Sequence, residues 1–128
     1  MDIGLKKKST LGYDAAVEKL PELLKAEGFG VLTRIDVKAT LKEKLGLDFR
    51  RYVILGACNP PLAHRALSAE LGFGVLMPCN VTIYEGDDGK AVVTAVDPNQ
   101  TVAAQAPEMR GLVDEIRGKL TRVLSQVP

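Results

Sequence analysis

Arg51-Tyr52-Val53-Ile54-Leu55-Gly56-Ala57-Cys58-Asn59-Pro60-Pro61 is the segment on which the fold turns. From Tyr52 to Cys58 the run carries no charge and is apolar on both of its alternating faces, the pattern of a strand with neighbours on both sides rather than of a sheet edge. Asn59 then supplies an N-cap side chain, and Pro60 suits the first helical position, where a missing N–H costs nothing. A strand therefore hands over to a helix here, with a cysteine at the junction.

Working downstream, the helix is expected to run to about Leu71 and to stop at Gly72. Met77 to Glu85 and Lys90 to Val96 read as strands joined by Gly86-Asp87-Asp88-Gly89, a hairpin loop with strong turn chemistry. Asp97-Pro98 opens a loop or a short helix. Pro107 starts the last helix, whose apolar stripe is Met109, Leu112, Val113, Ile116, Leu120, Val123 and Leu124.

Upstream, Ile3 to Lys8 reads as a short strand whose lysines suit a sheet edge. Tyr13 to Glu27 has helical spacing at Tyr13, Val17, Leu20 and Leu24, with Gly28 as the stop and Pro21 predicting a kink or a break. Phe29 to Val37 alternates as a strand with Phe29, Val31, Thr33, Ile35 and Val37 on one face, and Asp36 caps a short helix through Leu45 that Gly46 ends. The order β-α-β-α-β-α-β-β-α with a terminal hairpin predicts an α+β fold rather than a doubly wound one. It is a two-layer sandwich on one mostly antiparallel or mixed sheet of about five strands, with residues 1–128 as a single domain. The pentapeptide GFGVL occurs at Gly28–Leu32 and again at Gly72–Leu76, each time after a helix and leading into a strand. An internal duplication and shared packing demands account for that echo equally well.

Composition narrows the partners. Of 128 residues 17 are basic and 16 acidic, a balance that argues against nucleic acid or a membrane surface held by bulk charge. Lys6-Lys7-Lys8 is too short to change that, and with no Trp, three Tyr and three Phe a base-stacking platform is not expected. No apolar run is long enough to span a bilayer, and the start lacks the apolar core of a signal peptide, so the expected location is cytoplasmic with both thiols reduced.

Chemistry-bearing residues are few. Cys58 precedes a helix N-terminus, which can lower a thiol pKa, but Pro60 and Pro61 delete N–H groups that would hold a thiolate or an anion; the competing reading is a small buried thiol closing a strand. Cys79 shares a strand face with Met77, Val81 and Ile83, as a core cysteine would, and the opposite face carries Asn80, Thr82 and Tyr84. His64, the only histidine, stands six residues beyond Cys58 and falls on the outer side of its helix, which makes a catalytic pair with Cys58 a stretch. Cys58, His64 and Cys79 lack the paired spacing of a metal site, so no metal is assigned, and a Cys58–Cys79 redox pair would need adjacent strands. No phosphate-binding loop, dinucleotide fingerprint, nucleophile elbow or zinc-protease motif occurs, and no cofactor is specified.

Both cysteines are followed by asparagine, in Ala57-Cys58-Asn59-Pro60-Pro61 and Met77-Pro78-Cys79-Asn80-Val81. With Ile54-Leu55-Gly56 before the first, Leu62-Ala63 after it, Thr82-Ile83-Tyr84-Glu85 after the second, and Asp36 to Gly46 and Val96-Asp97-Pro98 elsewhere, the whole chain resembles the bacterial and archaeal family called domain of unknown function 302. That resemblance implies a small α/β fold that tends to dimerise, without an established activity. It marks Gly56, Cys58, Asn59, Pro60, Ala63, Pro78, Cys79 and Asn80. The link Ala69-Glu70-Leu71-Gly72-Phe73-Gly74 departs from the acidic, proline-containing link of the family, so the helix end is expected to differ.

The expected function is a non-enzymatic, homodimeric ligand-binding or accessory domain for a small molecule, with Cys58, Asn59, His64, Cys79 and Asn80 as ligand-binding candidates. One rival is a thiol-dependent enzyme or a metal- or haem-binding protein using Cys58 or Cys79. Another is a structural interaction module whose Asn80, Thr82 and Tyr84 face meets its twin. No reaction is named by the sequence.

Overall fold

A computed structural model describes all 128 residues. Its strands are β1 (Leu5–Gly12), β2 (Gly30–Asp36), β3 (Tyr52–Cys58), β4 (Cys79–Glu85) and β5 (Lys90–Ala95), and its helices are α1 (Tyr13–Ala26), α2 (Val37–Leu45), α3 (Pro60–Ala69) and α4 (Arg110–Ser125). The five strands form one sheet in the order β1-β5-β4-β3-β2, antiparallel throughout. This is the α+β fold expected from the element order. β3 has a partner on each side, as its two-faced apolar run requires, and lysine-bearing β1 is an edge.

Alternate residues of the inner strands build the core: Val53, Leu55 and Ala57 of β3, Val81 and Ile83 of β4, and Ala91, Val93 and Ala95 of β5 are all buried. Against them α1 lays Leu20 and Leu24, and α4 lays Leu120, Val123 and Leu124. A second, smaller cluster joins Leu62 and Ala66 of α3 to Ala103, Met109, Leu112 and Val113, so α3 leans on α4 instead of lying flat on the sheet. That lean opens space at one end of the sheet.

Several local expectations are revised. Of the kink or break expected at Pro21, the break does not occur, since α1 runs through that residue. Proline inside a helix costs roughly 3 kcal/mol, but Leu20 and Leu24 flank it and are fully buried, each stabilising by about 1.5–3 kcal/mol; packing offsets the lost bond. β1 starts two residues later than expected and runs on to Gly12, because the Pro128 carbonyl accepts from Ser9 Oγ at 2.7 Å and Thr10 N at 3.0 Å and ties that stretch to the C-terminus. β2 is exposed along its length, and an irregularity between Val31 and Thr33 breaks its simple alternation. Val37 belongs to α2, which is capped as expected by Asp36 Oδ1 accepting from Ala39 N.

α3 ends at Ala69, short of Leu71, because Glu70 turns extended and its carboxylate accepts from Gly72 N at 3.0 Å. The two GFGVL copies therefore differ in structure. Gly28 takes the left-handed conformation (φ +84°) after α1 and leads into β2, whereas Leu71–Leu76 is a 3-10 helix with no left-handed glycine. Pro107–Met109 is likewise a 3-10 turn ahead of α4. The packing predicts that Leu20→Ala costs about 2–5 kcal/mol, while Val75→Ala, at a side chain 84% exposed, stays within about 0.5 kcal/mol; urea unfolding of the two variants measures the contrast.

Candidate functional site

The strand register brings both Cys-Asn motifs to one end of the sheet: Ala57 pairs with Cys79, and Gly56 with Asn80. Beyond that end, under α3, lies a cavity of about 410 Å³. Phe29, Ala57, Cys58 and Cys79 contribute from the strand ends; Leu62, Ala63, Ala66 and Leu67 come from α3; Val113 and Ile116 come from α4. Phe73 and Leu76 of the 3-10 helix, then Met77 and Pro78, close one side, and Pro98, Thr101, Ala103 and Met109 close another.

Three local devices hold these walls. Asn59, buried at 8% exposure, caps α3 by accepting from Leu62 N at 3.4 Å, and its Nδ2 donates to the Glu27 carbonyl at 3.2 Å. One side chain thus joins the end of α1 to the start of α3. Gly28 makes room for it, since a Cβ there would stand 2.9 Å from Asn59 Nδ2. Gly56 serves the second device: a Cβ there would run into Thr33 Oγ1 and come within 2.7 Å of the Pro78 ring, so only glycine lets the Met77–Pro78 segment cross β3. For the third, Asp97 Oδ1 accepts from Asn99 N at 3.0 Å and from Arg117 Nε at 3.1 Å, pinning the Pro98 segment to α4.

The two thiols differ. Both are free and partly buried. Burial, and secondarily the charge that Cys58 would carry, push the Cys79 thiol from an ordinary value near 9 up to about 11. Cys79 is therefore protonated throughout the neutral range, and a nucleophilic role at neutral pH runs against its surroundings.

The other candidates lie elsewhere. His64 is on the exposed side of α3 and does not line the cavity, while its neighbour Arg65 pairs with Glu115 at 3.0 Å. Asn80 follows Cys79 on the strand and so points to the opposite face of the sheet. There it lines an open groove of about 460 Å³ with Thr82, Tyr84, Tyr52, Thr94 and Lys6. Tyr52 and Tyr84 stack across the strands with ring centroids 5.4 Å apart, and Phe49 continues the row at 6.4 Å. Of the five ligand-binding candidates, the fold brings together Cys58, Asn59 and Cys79. Nowhere in the chain do three His, Cys, Asp or Glu side chains converge as metal ligands would. Among the lining residues, Met109, Val113 and Ile116 were readable only as members of α4's apolar stripe, Phe73 and Leu76 only as members of the repeated GFGVL, in which Phe73 reads as a core anchor, and Thr101 carried no local signal.

A five-stranded antiparallel sheet with α1 and α4 on one face and an apolar cavity at the Cys-Asn end defines a small α+β domain. A family profile described as "Domain of unknown function DUF302" matches residues 5–127, and the chain belongs to that family. Among solved structures it is similar to the crystal structure of an uncharacterized conserved protein DUF302 from Bacillus stearothermophilus, with 32% identity, 97% of each chain covered and a TM-score of 0.89. No curated protein matches. No helix is long and apolar enough to cross a membrane.

Asn59→Ala removes both the cap and the tie to α1 and should cost about 1–3 kcal/mol in urea unfolding, with Asn59→Asp recovering the cap alone. Cys79 supplies a pH test. Its folded pKa is raised, so the folded state holds this proton more tightly than the unfolded state and the stability is fully present below about pH 9. Between about pH 9 and 11 the wild type should lose about 2–3 kcal/mol relative to Cys79→Ala, measured as the difference between their denaturation midpoints across that window.

Proposed function

We propose that this chain is a single-domain, homodimeric binding or accessory module whose ligand site is the cavity at the Cys-Asn end of the sheet. Cys58 and Cys79 face the ligand, and Asn59 holds the walls in place. One observation carries the reading: the cavity lies where both motifs converge and has the size of a small-molecule site. The fold surrounds it with residues that would otherwise close a core. The rival thiol-enzyme reading is weaker here, because Cys79 favours its protonated form and His64 stands outside the cavity. A metal or haem reading finds two thiols in the lining and no His, Asp or Glu. A reducing, cytoplasmic setting suits two unpaired cysteines.

A thermal-shift screen of a small-molecule fragment library tests the site. Compounds that raise the wild-type melting temperature should fail on Ala63→Phe, which fills the cavity from α3. Unchanged responses in that variant would place binding elsewhere.

The dimer rests on a separate observation. The sheet face away from α1 and α4 bears the Phe49, Tyr52 and Tyr84 ring row, and the cross-strand pair Ile35 and Ile54 lies beside it. The adjoining β2–α2 arm leaves Leu32, Leu45 and Leu47 more than half exposed. An exposed edge strand and apolar patch of this kind suit a second copy. Tyr84→Asp is expected to give monomers in analytical ultracentrifugation; an unchanged dimer would exclude this face.

A further inference from the structure

Resting on the cavity reading above, we infer that the ligand is an uncharged, largely apolar small molecule, held by shape and by contact with two thiols and not by ion pairs. The lining contains no Asp, Glu, Lys, Arg or His. Its polar groups are mostly engaged already. Asn59 uses its carbonyl oxygen on Leu62 N and its amide on the Glu27 carbonyl, and Thr101 Oγ1 donates to the Pro98 carbonyl at 2.7 Å. The other polar side chains among the lining residues are Thr33, Cys58 and Cys79, weak partners on otherwise hydrocarbon walls.

A carboxylate or ammonium buried against these walls would lose its water and find no counter-charge, which selects against ligands that must carry a charge into the interior of the site. An apolar cavity of about 150 Å³ accepts a benzene ring, and this one is about 410 Å³, so a ring with substituents or a medium-length chain fits. The two thiols add soft, polarisable surface, which suits an aromatic, a halogen, a thioether or a neutral carbonyl better than a strongly hydrated group.

The three methionines provide the readout. Met77 and Met109 line the cavity, and Met1 is fully exposed at the terminus as an internal control. Protein carrying 13C-labelled methionine methyls, assigned with Met77→Leu and Met109→Leu, would be titrated with 1-octanol, octanoate and octylammonium, which share one chain and differ in head-group charge. The expected result is that octanol shifts the Met77 and Met109 methyls without moving Met1, while both charged congeners need at least tenfold higher concentration for the same shift. Equal or stronger response to octanoate or octylammonium at those two methyls would overturn the ligand class and leave the cavity as the site. No response at Met77 and Met109 to any of the three would overturn the inference and the cavity reading together. Shifts at those methyls that follow protein concentration alone would assign the cavity to a second copy of the chain, which also overturns it.

Discussion

Asn59 holds the architecture of the cavity end. Its oxygen starts α3 and its amide donates to the Glu27 carbonyl at the C-cap of α1, so a helix that packs on the sheet and a helix that does not are joined through one buried side chain. A buried amide that lost either partner would carry an unsatisfied polar group, and that penalty keeps the two helix ends together. Phe29, just past the α1 end, is then fixed between the main core and the cavity wall. The position of α3, and with it the cavity, follows from this contact and from the lean of Leu62 and Ala66 onto Met109 and Val113.

The cavity is a consequence of how the layers divide. α1 and α4 cover the sheet as amphipathic helices ordinarily do, but α3 begins at the end of β3 under the direction of Asn59-Pro60-Pro61 and angles away toward α4. The returning chain crosses back as a 3-10 helix and passes Pro78 over Gly56 before β4 begins. Apolar residues from four parts of the chain converge there without filling the volume. At the opposite end of β3, Arg51 bridges Asp14 and Glu85 and lies over the Tyr13 ring, so that end closes with charge where the cavity end is hydrocarbon.

Much of the fold was legible because local signals agreed with the tertiary result: the two-faced apolar run of β3, the Gly-Asp-Asp-Gly hairpin, the Asp36 and Asn59 caps and the left-handed Gly28 and Gly46 each settle their own neighbourhood. Where the reading missed, a distant contact decided. Pro21 stays helical because Leu20 and Leu24 are buried, and the second GFGVL is bent into a 3-10 helix by the Glu70 carboxylate. The site was half legible. Two Cys-Asn motifs drew attention to the end of the sheet where the cavity lies, but their meeting depends on the register that pairs Ala57 with Cys79, a non-local fact. The pleat separates Cys79 from Asn80, so the second motif sends its sulfur toward the cavity and its amide to the open face of the sheet. Phe73 and Leu76 stand in the second GFGVL, but nothing in that repeat placed them on a cavity wall, and nothing local announced Thr101.

Diffraction from crystals of the protein pressurised with xenon, an atom that enters dry apolar cavities, tests whether a preformed apolar cavity lies at the Cys-Asn end of the sheet. A xenon peak is expected beneath α3, in contact with Met109, Ile116 and Cys79. A volume closed by rearranged side chains, or occupied by ordered water hydrogen-bonded to protein polar groups, would contradict that expectation.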